Sequence, residues 1–136
     1  MLSKIHKGDY VFIQFGHNDE KSAEKLHTVP GSTFDENLRR FVRETRAKGA
    51  YPVLFNSIVR RNFPPEGATE NKGSYEMEGN TLVDTHGEYL ESPRRVAKEM
   101  NVPFVDMNKL THDLVVGMGV EKSRSLFMWV PAGKYD

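Results

Sequence analysis

The amino-acid sequence predicts an α/β protein built as a three-layer open parallel sheet with helices on both faces. Three observations carry that expectation. Short apolar runs rich in β-branched and aromatic residues recur along the chain, beginning with Tyr10-Val11-Phe12-Ile13-Gln14-Phe15. These runs do not alternate with polar residues, so each reads as a strand covered on both faces, as in parallel sheets. Stretches with helical spacing separate them, and strand, helix, strand with short links is a βαβ unit with a right-handed crossover.

The first run is closed by Gly16, and Pro30-Gly31 ends the loop that follows. Thr33 with Glu36 fits a capping box, and Phe34, Leu38, Phe41, Val42 and Thr45 then form one apolar stripe. Asp35 and Glu36 in the first turn and Arg46 and Lys48 in the last suit the helix dipole, and Gly49 is a natural stop. Pro52 to Val59 reads as the second strand, buried like the first. Residues 60–86 are polar and rich in Gly and Pro. Within them Tyr75-Glu76-Met77 and Thr81-Leu82-Val83 flank Gly79-Asn80, predicting a small hairpin insertion at about 74–84. A helix over about 88–100 turns Val96, Ala97 and Met100 inward, and Pro103 to Met107 is the third strand. Leu110, Leu114, Val115 and Met118 mark the buried side of the last helix. The first strand is expected to be central, with one partner on either side. A sheet of three two-faced strands leaves apolar surface or an edge uncovered, so the chain reads as a single domain, 1–136, incomplete at both ends.

The 136 residues, 38% hydrophobic, are enough for one core, and 19 basic and 19 acidic side chains balance to zero. That balance speaks against nucleic acid or an anionic membrane as partner. The absence of cysteine removes disulfides, thiolate metal sites and cysteine nucleophiles. No apolar run approaches the ~18–20 residues that span a bilayer. The first seven residues hold no signal peptide, which leaves the compartment open.

In open parallel sheets, ligands bind beyond the carboxyl ends of the strands. Three loops are predicted there: Gly16-His17-Asn18-Asp19, Val59-Arg60-Arg61-Asn62 and Asp106-Met107-Asn108. An Asn just past a buried strand can aim its amide into the cleft as a fixed donor, as an oxyanion hole requires. The bland alternative is a turn in which Asn18 and Asp19 cap local backbone amides. His17 and Asp19 lack the clustered carboxylates and imidazoles of a metal site, and no metal or cofactor is expected. Ser57 ends the second strand without a Gly-x-Ser-x-Gly elbow and reads as a turn residue. Arg60 and Arg61 suit an anionic sugar backbone or, equally, a solvated loop, and His86 suits the cleft wall or ordinary loop packing.

Val11 to Asp19, containing Gly16-His17-Asn18-Asp19, resembles block III (Gly-x-Asn-Asp) of the SGNH, or GDSL-type, hydrolases. Asn37-Leu38-Arg39-Arg40-Phe41, Val59-Arg60-Arg61, Val83-Asp84-Thr85-His86-Gly87 and Val102-Pro103-Phe104-Val105-Asp106 are similar to its rhamnogalacturonan acetylesterase branch, in order along the chain. The resemblance implies the flavodoxin-like SGNH hydrolase fold and a serine esterase removing acetyl groups from pectic polysaccharide, secreted or periplasmic. It implies Asn18 as an oxyanion donor with Gly16 in its turn, and nothing else carries over by position. His17, Asp19, Arg60 and His86 are expected as substrate contacts from their loops alone. The substrate is then an acetylated polysaccharide or small ester. The family's Gly-Asp-Ser and Asp-x-x-His occur nowhere in the sequence, nor does the glycine of its second block. Asp84-Thr85-His86 has one residue too few between its partners. Hydrolysis by this chain alone is therefore expected to be very weak. Two rival readings are a non-catalytic carbohydrate-binding domain and a fragment that self-associates, as a homo-oligomer, through its sheet edge or apolar face.

Overall fold

The computed structural model describes residues 2–68 and 79–127. They fall into two compact units, Met1–Ile58 with His86–Asn108 and Val59–Thr85 with Lys109–Asp136. The first unit holds the parallel sheet. Its strands are β1 (Tyr10–Gln14), β2 (Tyr51–Phe55) and β3 (Phe104–Val105), with helix α1 (Thr33–Ala47) before β2 and α2 (Glu91–Met100) before β3. β1 runs parallel to β2 with Tyr10 opposite Tyr51, and β2 parallel to β3 with Leu54 opposite Phe104.

The order is β1-β2-β3, which corrects the expectation of a central first strand. Ile13 and Leu54 face one another in the register, and both join a core with Phe34, Leu38, Val42, Val96 and Ala97. Both helices therefore lie on the same side, so both crossovers step the same way and β2 ends up in the middle. The opposite face corrects a second expectation. Tyr10, Phe12 and Tyr51 are 71%, 68% and 57% exposed, so β1 and β2 are not covered on both faces. Aromatic partners shield each other instead: Tyr10 meets Tyr51 at a tilt and Phe12 meets Phe55 edge-on, ring centroids 5.2 Å apart in each pair.

α1 forms where its stripe predicts it, but its cap lies one residue earlier. Ser32 Oγ accepts from Thr33 N at 2.6 Å, while Thr33 Oγ1 accepts from Val29 N at 2.8 Å. Glu36 does not close a box and pairs with Arg43 and Arg39. Gly49 ends the helix in the left-handed region, its N–H donating to the Arg46 carbonyl. Beneath the first turn, Asp35 is buried and accepts from Gly31 N and Arg95 Nε, each at 2.8 Å, tying α1 to α2.

The strand ends are braced by Asn56. Its Nδ2 donates to Asp106 Oδ1 at 2.9 Å, its Oδ1 accepts from Asn108 N at 2.9 Å, and its carbonyl accepts from Gln14 Nε2 at 3.0 Å. One buried side chain and its carbonyl thus connect the exits of all three strands.

The second unit has its own small core of Val59, Phe63, Leu82 and Val115, the last from α3 (Met107–Ser123). α3 is kinked at Gly119 (φ 76°). Leu110 and Leu114 are 58% and 50% exposed, so the predicted inward stripe reduces to Val115. Arg61 is buried, donating to Val120 O at 2.7 Å and Ser123 Oγ at 3.2 Å and lying over the Phe63 ring. One arm of the predicted hairpin, 75–77, lies outside the described residues. The other forms no strand but runs beside Asn62, with Val83 N donating to Asn62 O and Asn62 Nδ2 to Val83 O.

Candidate active site

The chain leaves β1 at Gln14 and turns at once. Gly16 has φ +124°, a conformation that favours glycine, and a Cβ there would lie 3.0 Å from Ser57 Oγ, a tight contact. Asp19 closes the turn on itself: its Oδ2 accepts from Gly16 N at 3.0 Å and its Oδ1 from Thr28 Oγ1 at 2.9 Å. Glu20 N then donates to Gly16 O at 3.3 Å and Lys21 N to Asn18 O at 3.1 Å. Tyr89, whose ring packs on Phe34, donates from its hydroxyl to Thr28 O at 2.5 Å, holding the returning strand of the loop.

This clamping leaves Asn18 at the surface. Among the described residues its side-chain amide makes no hydrogen bond, and it lines a hollow of about 320 Å³ with Gln14, Phe15, His17, Ser57 and Ile58. A primary amide held by its backbone and open to a hollow can donate to an oxygen brought there. Ser57, read from the sequence as a turn residue, lies in no turn; it is buried and its Oγ donates to Phe15 O at 3.4 Å.

His86, expected at a cleft wall, is instead fully buried at the side chain. Its Nδ1 lies 3.0 Å from Glu20 Oε2 and its Nε2 2.9 Å from Ile58 O, and its ring centroid is 5.1 Å from that of the exposed His17. Burial takes His86 out of direct reach of a substrate. Asp19, also expected as a substrate contact, has both carboxylate oxygens engaged within the protein. Arg60 belongs to the second unit, where its Nη1 donates to Thr85 Oγ1 at 2.9 Å. Gly16, His17, Asn18 and Asp19 thus share one turn with His86 behind it. Glu20, Thr28 and Tyr89 complete that arrangement, and only Glu20, next to the motif, had any signal in sequence. Among the described residues no group of three His, Asp or Glu side chains gathers as a metal would require.

The profile of the GDSL-like lipase/acylhydrolases matches residues 2–129. The chain belongs to that family. It is 39% identical over 125 residues to the rhamnogalacturonan acetylesterase RhgT of Bacillus subtilis strain 168, covering 92% of this chain and 47% of that protein. It is 26% identical over 129 residues to the probable rhamnogalacturonan acetylesterase YesY of the same organism, covering 94% and 53%. The chain thus spans about half the length of these curated relatives. Among solved structures, the Bacillus subtilis protein YxiM superposes with a TM-score of 0.68 at 26% identity, over 93% of this chain and 32% of that one. Axe2, an acetyl-xylooligosaccharide esterase from Geobacillus, shares the fold, with a TM-score of 0.55 at 18% identity over 84% and 47% of the chains. In this GDSL-like chain the parallel sheet and its exit turn are in place. No helix among the described residues is long and apolar enough to cross a membrane.

Proposed function

We propose that this chain carries the oxyanion-binding part of a carbohydrate acetylesterase that acts on acetylated pectic polysaccharide. The observation that carries the reading is Asn18. Its amide is held by a turn locked through Asp19 and stands open to a hollow at the strand exits. When a nucleophile attacks an acetyl carbonyl, negative charge moves onto the carbonyl oxygen. A donor already aimed at that oxygen stabilises the transition state without reorganising. His17, beside Asn18 on the hollow, is the side chain placed to touch the sugar carrying the acetyl group. The names of the 39%- and 26%-identical relatives support rhamnogalacturonan as the substrate class. The sequence holds no Gly-Asp-Ser and no Asp-x-x-His. Nucleophile and base are therefore supplied from outside these residues, and this chain alone hydrolyses esters very weakly.

The test is acetate release from acetylated rhamnogalacturonan by the full-length esterase and its Asn18→Ala variant. Turnover is expected to fall by about 10²–10³-fold, the usual effect of removing one oxyanion donor. An unchanged turnover would remove Asn18 from the oxyanion hole. Equal or faster release from acetylated xylan would overturn the substrate assignment.

A further inference from the structure

We propose that the buried His86–Glu20 pair is the positioning device of this site, a strut that sets where the Asn18 amide points. The inference rests on Asn18 being the oxyanion donor and adds the group that holds it. Glu20 is the residue by which the chain leaves the Gly16–Asp19 turn, and its carboxylate Oε2 meets His86 Nδ1 at 3.0 Å. The other ring nitrogen, Nε2, meets the carbonyl of Ile58 at 2.9 Å. Ile58 and Ser57 form the wall of the hollow facing Asn18. A single imidazole therefore spans from the exit of β1 to the exit of β2, the two sides between which an acetyl oxygen would sit.

The chemistry of the two contacts makes the strut directional. A carbonyl only accepts, so Nε2 carries a hydrogen and donates it to Ile58 O. Nδ1 then faces the Glu20 carboxylate oxygen at hydrogen-bond distance, and the contact is shielded from water by burial of the ring. The arrangement fixes the ring at both ends, and the His17 ring rests against it at 5.1 Å. Asp19 fixes the beginning of the turn through Gly16 N, and Glu20 fixes its end through His86. With both ends tied, the backbone that carries Asn18 is fixed in place. Misplacing a catalytic group by about 1 Å can cost as much as 10²-fold in rate.

The experiment is a double-mutant cycle in the full-length esterase on an acetyl ester, using Glu20→Gln, Asn18→Ala and their combination. Glu20→Gln keeps the shape but removes the charged partner of Nδ1. It is expected to lower kcat roughly 10–100-fold with KM little changed. Added to Asn18→Ala, it should cost less than about twofold more, because the pair acts through Asn18. Multiplying effects, or a kcat unaffected by Glu20→Gln, would overturn the proposal. A second readout needs no turnover. In this chain, Glu20→Gln and His86→Gln should each speed amide exchange at residues 16–20 at least about tenfold while Leu38 and Val42 of α1 keep their protection. Unchanged exchange in the turn, or equal acceleration in α1, would show no such strut. If Asn18→Ala alone leaves kcat intact, the oxyanion reading fails while the exchange result still decides the hold of the pair on the turn.

Discussion

At the scale of single residues, the turn after β1 rests on backbone conformation and on hydrogen bonds within the protein. Gly16 is the clearest case, since its backbone at φ +124° strains any other residue and a Cβ there would press on Ser57 Oγ at 3.0 Å. Gly16→Ala should destabilise the chain by about 1–3 kcal/mol, seen as a lower urea midpoint with an unchanged slope. A midpoint equal to that of the wild type would mean the turn relaxes without strain. The turn that holds Gly16 and Asn18 was legible, because glycine and asparagine just past a strand favour one. Asp19 and His86 were assigned to the cleft because a sequence lists polar groups without their partners. Asp19 is taken up by Gly16 N and Thr28, and His86 by Glu20 and Ile58 O, partners up to 66 positions away in the chain.

At the scale of elements, α1 and α2 are joined to each other, on one face of the sheet, by Asp35 and Arg95. The Asp35 side chain is 1% exposed and that of Arg95 44%. Burial pushes the Asp35 carboxyl up, but hydrogen bonds from Arg95, Ser92 and Gly31 outweigh it and hold the group below its ordinary value. A carboxyl lowered in the folded state adds stability above its unfolded value of about 3.9, and that share is lost as pH falls through its folded value. Asp35→Asn should therefore cost about 1.5–3 kcal/mol at pH 7, the range for hydrogen bonds to charged groups. In urea titrations the gap to wild type should narrow below about pH 4. A gap constant across that range would mean the carboxylate charge is not what the pair contributes. The elements themselves were largely readable: the stripe of α1 and its stop at Gly49 stand, and each apolar run holds a strand, though β2 ends at Phe55 rather than Val59 and β3 is Phe104–Val105 rather than Pro103 to Met107. Their order was not, because sequence does not say on which side a crossover helix packs, and two helices on one side force β1 to the edge. The aromatics of β1 and β2 misled for a related reason. Tyr and Phe at alternate positions look like core, yet they pair with each other on an open face.

At the scale of the molecule, the exposed row of Tyr10, Phe12 and Tyr51 lies beside β1, whose only ladder among the described residues is with β2. An apolar face next to a free edge is a surface that seeks cover. This chain is expected to bind a hydrophobic dye under native conditions and to sediment above monomer mass as concentration rises. Phe12→Lys should weaken both. A clean monomer that leaves the dye dark would refute the expectation for this chain, which has about half the length of its curated relatives.

The bracing by Asn56 has a chemical consequence of another kind. The contact between Asn56 and Asp106 holds only while one partner is an amide. Hydrolysis of that amide during ageing would turn Asn56 into aspartate with scarcely any change in mass or shape. Two carboxylates would then face each other in a buried place, and the Asp106 oxygen would meet repulsion where it had a donor. The damage would fall between the exits of β2 and β3, while the Asn56 carbonyl kept its bond to Gln14, so an aged sample would keep its helices and lose the geometry of one side of its cleft.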